Sequence, residues 1–508
     1  MKKNKFLNIV GYCLIIMLFV GCHSKTTTPT SALPVLTQAQ MYQDFDYLVY
    51  IIENVNPQLC IKKKITDSDI LAELKLMRNE VKDCKNTEDF VFLINKTLTL
   101  MQDGHCYFLA AGPSLMPYKI AQNLYGLTDS IAYNNTVKYL NLIETKEKKR
   151  KFWLSIKYYN GEYYLARTFN YNNKVYEAVG KLIECDGENI HSFVQKLTKY
   201  RFHLQWDKQN KRYYSTNFYC AFIFMNKNSF TLSVITKDNK KLTDTFNIEQ
   251  SANGESQYQY SFGKVKVKYS KYIEKDKILY IRLKKMAFEN IKLDEINEVA
   301  NNKKINKVII DIRRNTGGND KVWENLLARL IDKPLIYNTK ILVKNTDIIK
   351  QKYYKERINT NKTEKCKLLD NEDFIILWNG NDTIKPDSKS IKFKGKIYLL
   401  QDEEIYSSSL ALSCVAARSN KIVSIGKTTG WIGGRGITPL AFTLPNTKLI
   451  FTIAPSIDAT NIKNINDFWK DTVEVPVNIP LEYYIKNINQ DKADLENDPY
   501  YQKVLEQK

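Results

Sequence analysis

Lys307–Asn319 reads KVIIDIRRNTGGN. The apolar, β-branched run Val308–Ile312 lacks strand-like alternation, so it reads as a strand buried on both faces. A polar turn and the pair Gly317-Gly318 follow. Asn319 and Asp320 then cap a helix whose apolar face is Val322, Leu326 and Leu330. Two glycines at a strand-to-helix turn let backbone N–H groups face an open site, because no side chain shields them. Near the positive end of a helix such groups suit an oxyanion. An ordinary βα turn reads the same way, so the neighbouring segments decide.

Downstream and upstream of this stretch, strand and helix patterns alternate. Leu279–Leu283, Gly395–Leu400 (GKIYLL) and Lys421–Ile425 (KIVSI) are further strands, and a helical segment precedes Val308. The pattern predicts an α/β domain with a mostly parallel sheet and covering helices. Tyr337–Lys394 is a long polar insertion, read as surface decoration, with a lid as the alternative. After GKIYLL comes QDEEIYSSS, Gln401–Ser409, and then a helix face of Leu410, Cys414 and Ala417. Ser407 stands at the start of that helix, where the dipole and free N–H groups favour a developing alkoxide and an oxyanion. An N-cap serine fits the same place, and propensity does not separate three consecutive serines.

Thr37–Met101 carries three helical stripes: Met41, Phe45, Leu48, Ile52 and Val55; Ile70, Leu74, Met77 and Val81; Phe90, Ile94, Leu98 and Met101. They predict a small helical domain. The third stripe runs into Asp103-Gly104-His105, so a helix ending at the glycine presents His105 beyond its end. The chain has only four histidines, at 23, 105, 191 and 203. His23 lies in a tether, which leaves three candidates for a histidine base; His191 and His203 read as structural or solvent-facing. Residues 120–260 look β-rich. Trp153–Phe169 is a hairpin turning at Asn160-Gly161, and Val179–Ile190 holds a tight Asp-Gly turn.

At 508 residues and 44% hydrophobic content the chain can bury two or three cores. Its formal charge of +21 has no matching groove-reading motif, and the lysines are spread throughout, so nucleic acid is not expected as a partner. Lys2, Lys3 and Lys5 followed by the short apolar Leu14–Val20 form a targeting segment. Phe19-Val20-Gly21-Cys22 resembles a bacterial lipobox, which implies acylation at Cys22 and a membrane partner through that lipid. Leaving out Cys13 and Cys22, seven cysteines remain, without C-x-x-C spacing. That argues against a zinc site and a dense disulfide framework, with one or two bridges, for instance involving Cys60 and Cys84, left open.

Asp103-Gly104-His105, Asp311–Gly318 (DIRRNTGG), Tyr406–Ser409 (YSSS) and Ile425–Gly430 (IGKTTG) resemble, in order, motifs of the tail-specific, C-terminal processing serine peptidases. The fit is to their histidine-using, tricorn-like branch, over about Met41 to the C-terminus. The resemblance implies a ClpP/crotonase-like catalytic domain, an N-terminal helical domain and a β-rich PDZ-like module. It implies Ser407 as nucleophile and His105 as general base. Gly317 and Gly318, with the amide of Ser408, match the oxyanion hole; the Ser407 amide is the alternative to that of Ser408. Asp467 and Asp103 are the candidates for the third triad member. Two departures stand out: Leu410 replaces a frequent glutamate, and Ile432 occupies the place of the lysine used by the other branch.

The expected organisation is a lipoprotein signal peptide at 1–21, a tether at 22–36, and the helical domain at 37–115. The PDZ-like module follows at 116–265, the catalytic domain at 266–485 and a tail at 486–508. The expected function is a lipid-anchored serine peptidase of the bacterial cell envelope, without metal or cofactor, cleaving a peptide or protein substrate. An inactive relative that binds peptide or another envelope ligand is the alternative. Sequence leaves the oligomeric state open.

Overall fold

A computed structural model of the chain describes residues 33–109, 118–148, 154–200, 204–249, 269–354, 361–469, 473–487 and 495–507. The signal segment, Cys22, His23 and His203 lie outside the described residues. Among those described, no helix is long and apolar enough to cross a membrane.

The N-terminal region is helical: α1 (Gln38–Val55), α2 (Gln58–Thr66), α3 (Ile70–Met77) and α4 (Thr87–Leu100). All but α2 start at a side-chain cap. Thr37 and Gln40 form a capping box on α1, and Asp69 and Asn86 cap α3 and α4 through their side chains. The expected apolar stripes meet in one core holding Phe45, Leu48, Ile52, Leu74, Phe90, Ile94 and Leu98. Helix continues past the expected boundary at 115, as α5 (Tyr118–Tyr125) and α6 (Ser130–Lys148). The β-rich reading from residue 120 is therefore corrected. Ala121 and Ala132 of these helices pack against Leu109, Ala441 and Ile450.

The middle region is a sheet of β1 (Ile156–Tyr159), β2 (Glu162–Leu165), β3 (Lys181–Cys185), β4 (Ser229–Ile235) and β5 (Lys241–Asn247), antiparallel throughout. Its hairpins turn where the sequence predicts, with positive φ at Asn160 and Gly161 and at Asp186 and Gly187.

The central sheet runs β6 (Ser270–Ile273), β7 (Ile278–Arg282), β8 (Lys307–Asp311), β11 (Ile397–Gln401) and β12 (Ile422–Gly426), with a short last strand at Val475–Pro476. Every pairing after the first is parallel. Helix α7 (Leu293–Ala300) precedes β8, and α8 (Asp320–Leu330) follows it. The apolar runs lack alternation because both faces are covered. Val308, Ile310 and Ile312 join Leu279, Ile281, Ile397 and Leu399 under Val322, Leu326 and Leu330 of α8 and Leu410 and Leu412 of α9 (Ser408–Ala416). Ile309, Tyr398, Leu400 and Ile425 face the other way, against Tyr500, Tyr501 and Val504 of α10 (Pro499–Glu506). The C-terminal stretch read as a tail therefore closes one side of the sheet.

The insertion is also corrected. β9 (Leu335–Lys344) and β10 (Glu372–Ile384) pair along their length, and β9 also pairs with Ser456–Asp458. Leu342 and Phe374 enter the core of the middle region, while Ile341, Val343, Ile375 and Leu377 enter the helical core. The ribbon holds the two together: alternate residues of one strand point to opposite faces, and here both faces are buried. Its many lysines concealed this in sequence. All seven cysteines among the described residues are free, Cys60 and Cys84 included.

Candidate active site

The two turns singled out in the sequence stand at the carboxyl ends of β8 and β11, which are hydrogen-bonded neighbours in a parallel sheet. Such strand ends form the crevice where open α/β sheets bind ligands. The turns lock together through Asn315, which is fully buried. Its Nδ2 donates to Leu283 O at 2.9 Å, and its carbonyl accepts from Tyr406 N at 3.2 Å and Ser409 Oγ at 2.5 Å. DIRRNTGG was recognised as a motif, but the asparagine's fastening role was missed. A buried asparagine bonded through both its side-chain amide and its backbone carbonyl is the signal, and that becomes visible only in space.

The three serines are now distinct. Ser409 Oγ bonds inward, donating to carbonyls and accepting from Tyr406 N at 3.0 Å. Ser408 is buried and begins α9, so its N–H has no intrahelical acceptor. Ser407 is half-buried, with φ 54° and ψ −122°. An L-residue held there costs roughly 1–3 kcal/mol, and such backbone strain is typical of functional turns. The turn lifts the Ser407 hydroxyl away from the helix, and it makes no cap bond.

His105 arrives from the opposite direction. α4 stops at Leu100, and the chain reverses with Gln102 at φ 44°, so the left-handed residue is Gln102 and not the expected glycine. Residues 105–109 are then fastened to the strand Ile450–Ile453. Thr452 Oγ1 donates to His105 O at 3.0 Å, Thr452 N to Tyr107 O at 2.8 Å, and Leu109 N to Ile450 O at 3.0 Å. The result places His105 Nε2 3.2 Å from Ser407 Oγ.

Behind the imidazole, Nδ1 faces Asp103 Oδ1 at 3.8 Å. That oxygen accepts from His105 N at 2.9 Å and from the Tyr406 hydroxyl at 2.8 Å, and Gly104 N donates to the same hydroxyl at 2.9 Å. Tyr406, adjacent to Ser407, thus clamps the His105 turn onto the Ser407 turn. Asp467 is placed otherwise: its carboxylate accepts from the amides of Lys463 and Asn464 in its own turn. Burial pushes the imidazole below its ordinary pKa, and Asp103 offsets only part of this. His105 is therefore neutral and able to accept a proton near neutral pH. Burial alone raises the Asp103 acid, but Lys62, His105 and its donors outweigh it and keep the carboxylate ionised.

The glycine pair is also resolved. Gly317 N donates to Asn315 Oδ1 at 2.9 Å, so this amide is already used. Gly318 forms a bridge to Met286 through its neighbours, since Met286 N donates to Gly317 O and Asn319 N donates to Met286 O. The Gly318 N–H makes no bond to a described residue. A Cβ on Gly317 would lie 2.6 Å from Tyr406 O and 2.7 Å from Ser407 Cβ, so only glycine lets the two turns touch.

Comparison with known proteins follows this geometry. Residues 277–466 match peptidase family S41. That stretch is similar to the S41 serine peptidases. No curated protein matches its sequence. Among solved structures, mature CPAF complexed with lactacystin is 11% identical, with a TM-score of 0.55 over 89% of this chain and 97% of that one. At that identity the likeness is one of fold. The photosystem II D1 C-terminal processing protease has a TM-score of 0.38 at 13% identity, covering 90% of this chain and 99% of its own. The tricorn protease has 0.37 at 14% identity, covering 92% of this chain and 36% of its own. Among the described residues, no group of histidine, cysteine and acidic side chains has the arrangement of a metal site.

Proposed function

We propose that this S41 peptidase cleaves peptide bonds through an acyl-enzyme, with Ser407 as nucleophile and His105 as general base. The observation that carries the reading is the 3.2 Å contact between Ser407 Oγ and His105 Nε2, beside backbone amides that have no other acceptor. A serine hydroxyl is a poor nucleophile until a base removes its proton. His105 takes that proton as Oγ attacks the carbonyl carbon, and the amides of Gly318 and Ser408 receive the negative charge on the carbonyl oxygen. A good donor of this type lowers the barrier by about 3–4 kcal/mol. His105 then protonates the leaving amine, and water, deprotonated in turn by His105, releases the acyl group. Asp103 is the third member, favouring the imidazolium that forms.

The same reading extends to the rest of the chain. The middle sheet serves as the PDZ-like module, and the central sheet with its two turns as a ClpP/crotonase-like catalytic domain. Cys22 carries the lipid that holds the protein at the bacterial envelope, where the substrate is a peptide or protein. Globomycin-sensitive processing and metabolic labelling with a fatty-acid analogue, both lost in Cys22→Ala, test the anchor.

Ser407→Ala tests the chemistry. It should abolish peptide cleavage and fluorophosphonate labelling while leaving the fold intact by circular dichroism. Labelling that persists at full stoichiometry would place the nucleophile elsewhere.

A further inference from the structure

Lys62 is fully buried, and the peptidase mechanism above gives it no task. It projects from α2 beneath the end of α4, where its ammonium donates to the carbonyls of Met101 and Gln102, the latter at 3.1 Å. These carbonyls close the helix and open the turn that carries Asp103 and His105. No carboxylate lies within ion-pair distance of Lys62 among the described residues. Burial lowers its pKa, and the groups that face it electrostatically, Asp103 and Cys106, offset part of this. The Cys106 thiol is buried, accepts from Asn56 Nδ2 at 3.4 Å and stays protonated. Tyr406, the remaining titratable neighbour of Asp103, stays protonated as well because it too is buried. Asp103 is buried, and its Oδ2 has no donor within reach. A carboxylate in that position needs a balancing charge. Lys62 is the cation placed to supply it.

We propose that Lys62 is a positioning residue for the His105–Ser407 pair: its buried ammonium pins the turn through two carbonyls and balances Asp103, which leaves His105 uncharged in the resting enzyme. This rests on the peptidase reading for its purpose, though not for its measurement. With Lys62 present, Asp103 carboxylate and neutral His105 form an electrically balanced set. Without it, the buried carboxylate attracts a proton into the set. Oδ1 already accepts two hydrogen bonds, which favour its ionised form, so the proton goes to the imidazole. A protonated His105 cannot take the serine proton.

The test is the imidazole titration of His105, followed by NMR in Ser407→Ala and in Ser407→Ala/Lys62→Met, with the signal assigned by its loss in His105→Gln. Removing one buried charge should raise the midpoint by about one pH unit. In chains that retain Ser407, Lys62→Met should move the acid limb of kcat/KM upward by the same amount. Lys62→Gln, which keeps a donor but no charge, should behave like Lys62→Met. If Lys62→Met does not fold, Lys62→Met/Asp103→Asn should recover the fold, because both charges leave together; a packing role predicts no recovery. A folded Lys62→Met chain with an unmoved midpoint, or a double variant no more stable than the single, overturns the proposal. A shifted midpoint in a protein that never cleaves peptides would uphold it and refute the peptidase mechanism instead.

Discussion

Tyr406→Phe removes one oxygen from the middle of the site and nothing from its surface. The hydroxyl is buried, donates to Asp103 Oδ1 at 2.8 Å and accepts from Gly104 N at 2.9 Å. A hydrogen bond to a charged group contributes about 1.5–3 kcal/mol, and a buried N–H left without an acceptor costs about 1–3 kcal/mol. The two losses share one turn, so they overlap, and about 3 kcal/mol is the expected destabilisation in urea titrations at pH 7. The hydroxyl stabilises the ionised form of Asp103. Its contribution is therefore complete at neutral pH and is lost as pH falls through the depressed pKa of that acid, so the stabilities of the two chains should converge below the ordinary carboxylate range. The ring still packs beside His105 at 5.3 Å between centroids, which keeps the imidazole near but no longer fastened. In peptide hydrolysis kcat should fall at least tenfold with KM little changed, since the hydroxyl lies behind the base and away from the substrate. A stability loss below about 0.5 kcal/mol together with an unaltered kcat would refute the clamp.

Three further substitutions probe the other fastenings. In Gly318→Ala the new carbon would sit 2.2 Å from Met286 O, a backbone atom unable to swing away, at φ +142°; thermal denaturation should show a loss of at least about 3 kcal/mol, with no cleavage by any folded remainder. Ser407→Gly relieves the φ 54° backbone, so urea midpoints should rise, by about 1 kcal/mol, in a chain that has lost all turnover; a less stable variant would show that the turn is not strained. Asp498→Ala breaks a 2.7 Å pair with Arg313 and removes the cap of α10. Limited proteolysis should then release the C-terminal helix, at a cost of about 3 kcal/mol.

What sequence could reveal depended on the range of each interaction. Val308–Ile312 was legible because its burial on both faces leaves an apolar run broken only by Asp311, and Gly317-Gly318 because steric demand allows no substitute. Asn160-Gly161 and Asp186-Gly187 were legible because a tight turn needs positive φ within a few residues. The insertion was not, since the apolar segments of β9 and β10 are short and flanked by polar residues, and the stretch looks polar until both sides have partners. Residues 118–148 were misread because two amphipathic helices rich in tyrosine and asparagine carry weak helical propensity, overridden by packing on Ala441 and Ile450. The division of labour among Ser407, Ser408 and Ser409 was hidden for a different reason. Their partners, Asn315 and His105, are supplied by segments roughly ninety and three hundred positions away.

The N-terminal helices are more than a platform. Asp44 of α1 is fully buried and accepts from the amides of Asn446 and Thr447, at the turn leading into the strand that fastens His105. Lys62 of α2 grips the same His105 turn from below. His105 is thus held on both sides by helices that share a core with β9, β10 and Phe451. Ser407 is held by the central sheet. The 3.2 Å separation of Nε2 and Oγ is therefore a relation between two bodies packed together, and it survives only while both keep their places. Since a misplacement near 1 Å can cost a hundredfold in rate, loosening the helical core should reduce turnover before it unfolds the protein. Phe45→Ala, far from either reacting atom, provides that separation. Cleavage should disappear at a urea concentration where central-sheet structure, followed by far-UV circular dichroism, is still retained. Simultaneous loss of the two signals would mean that the helices and the sheet unfold as one.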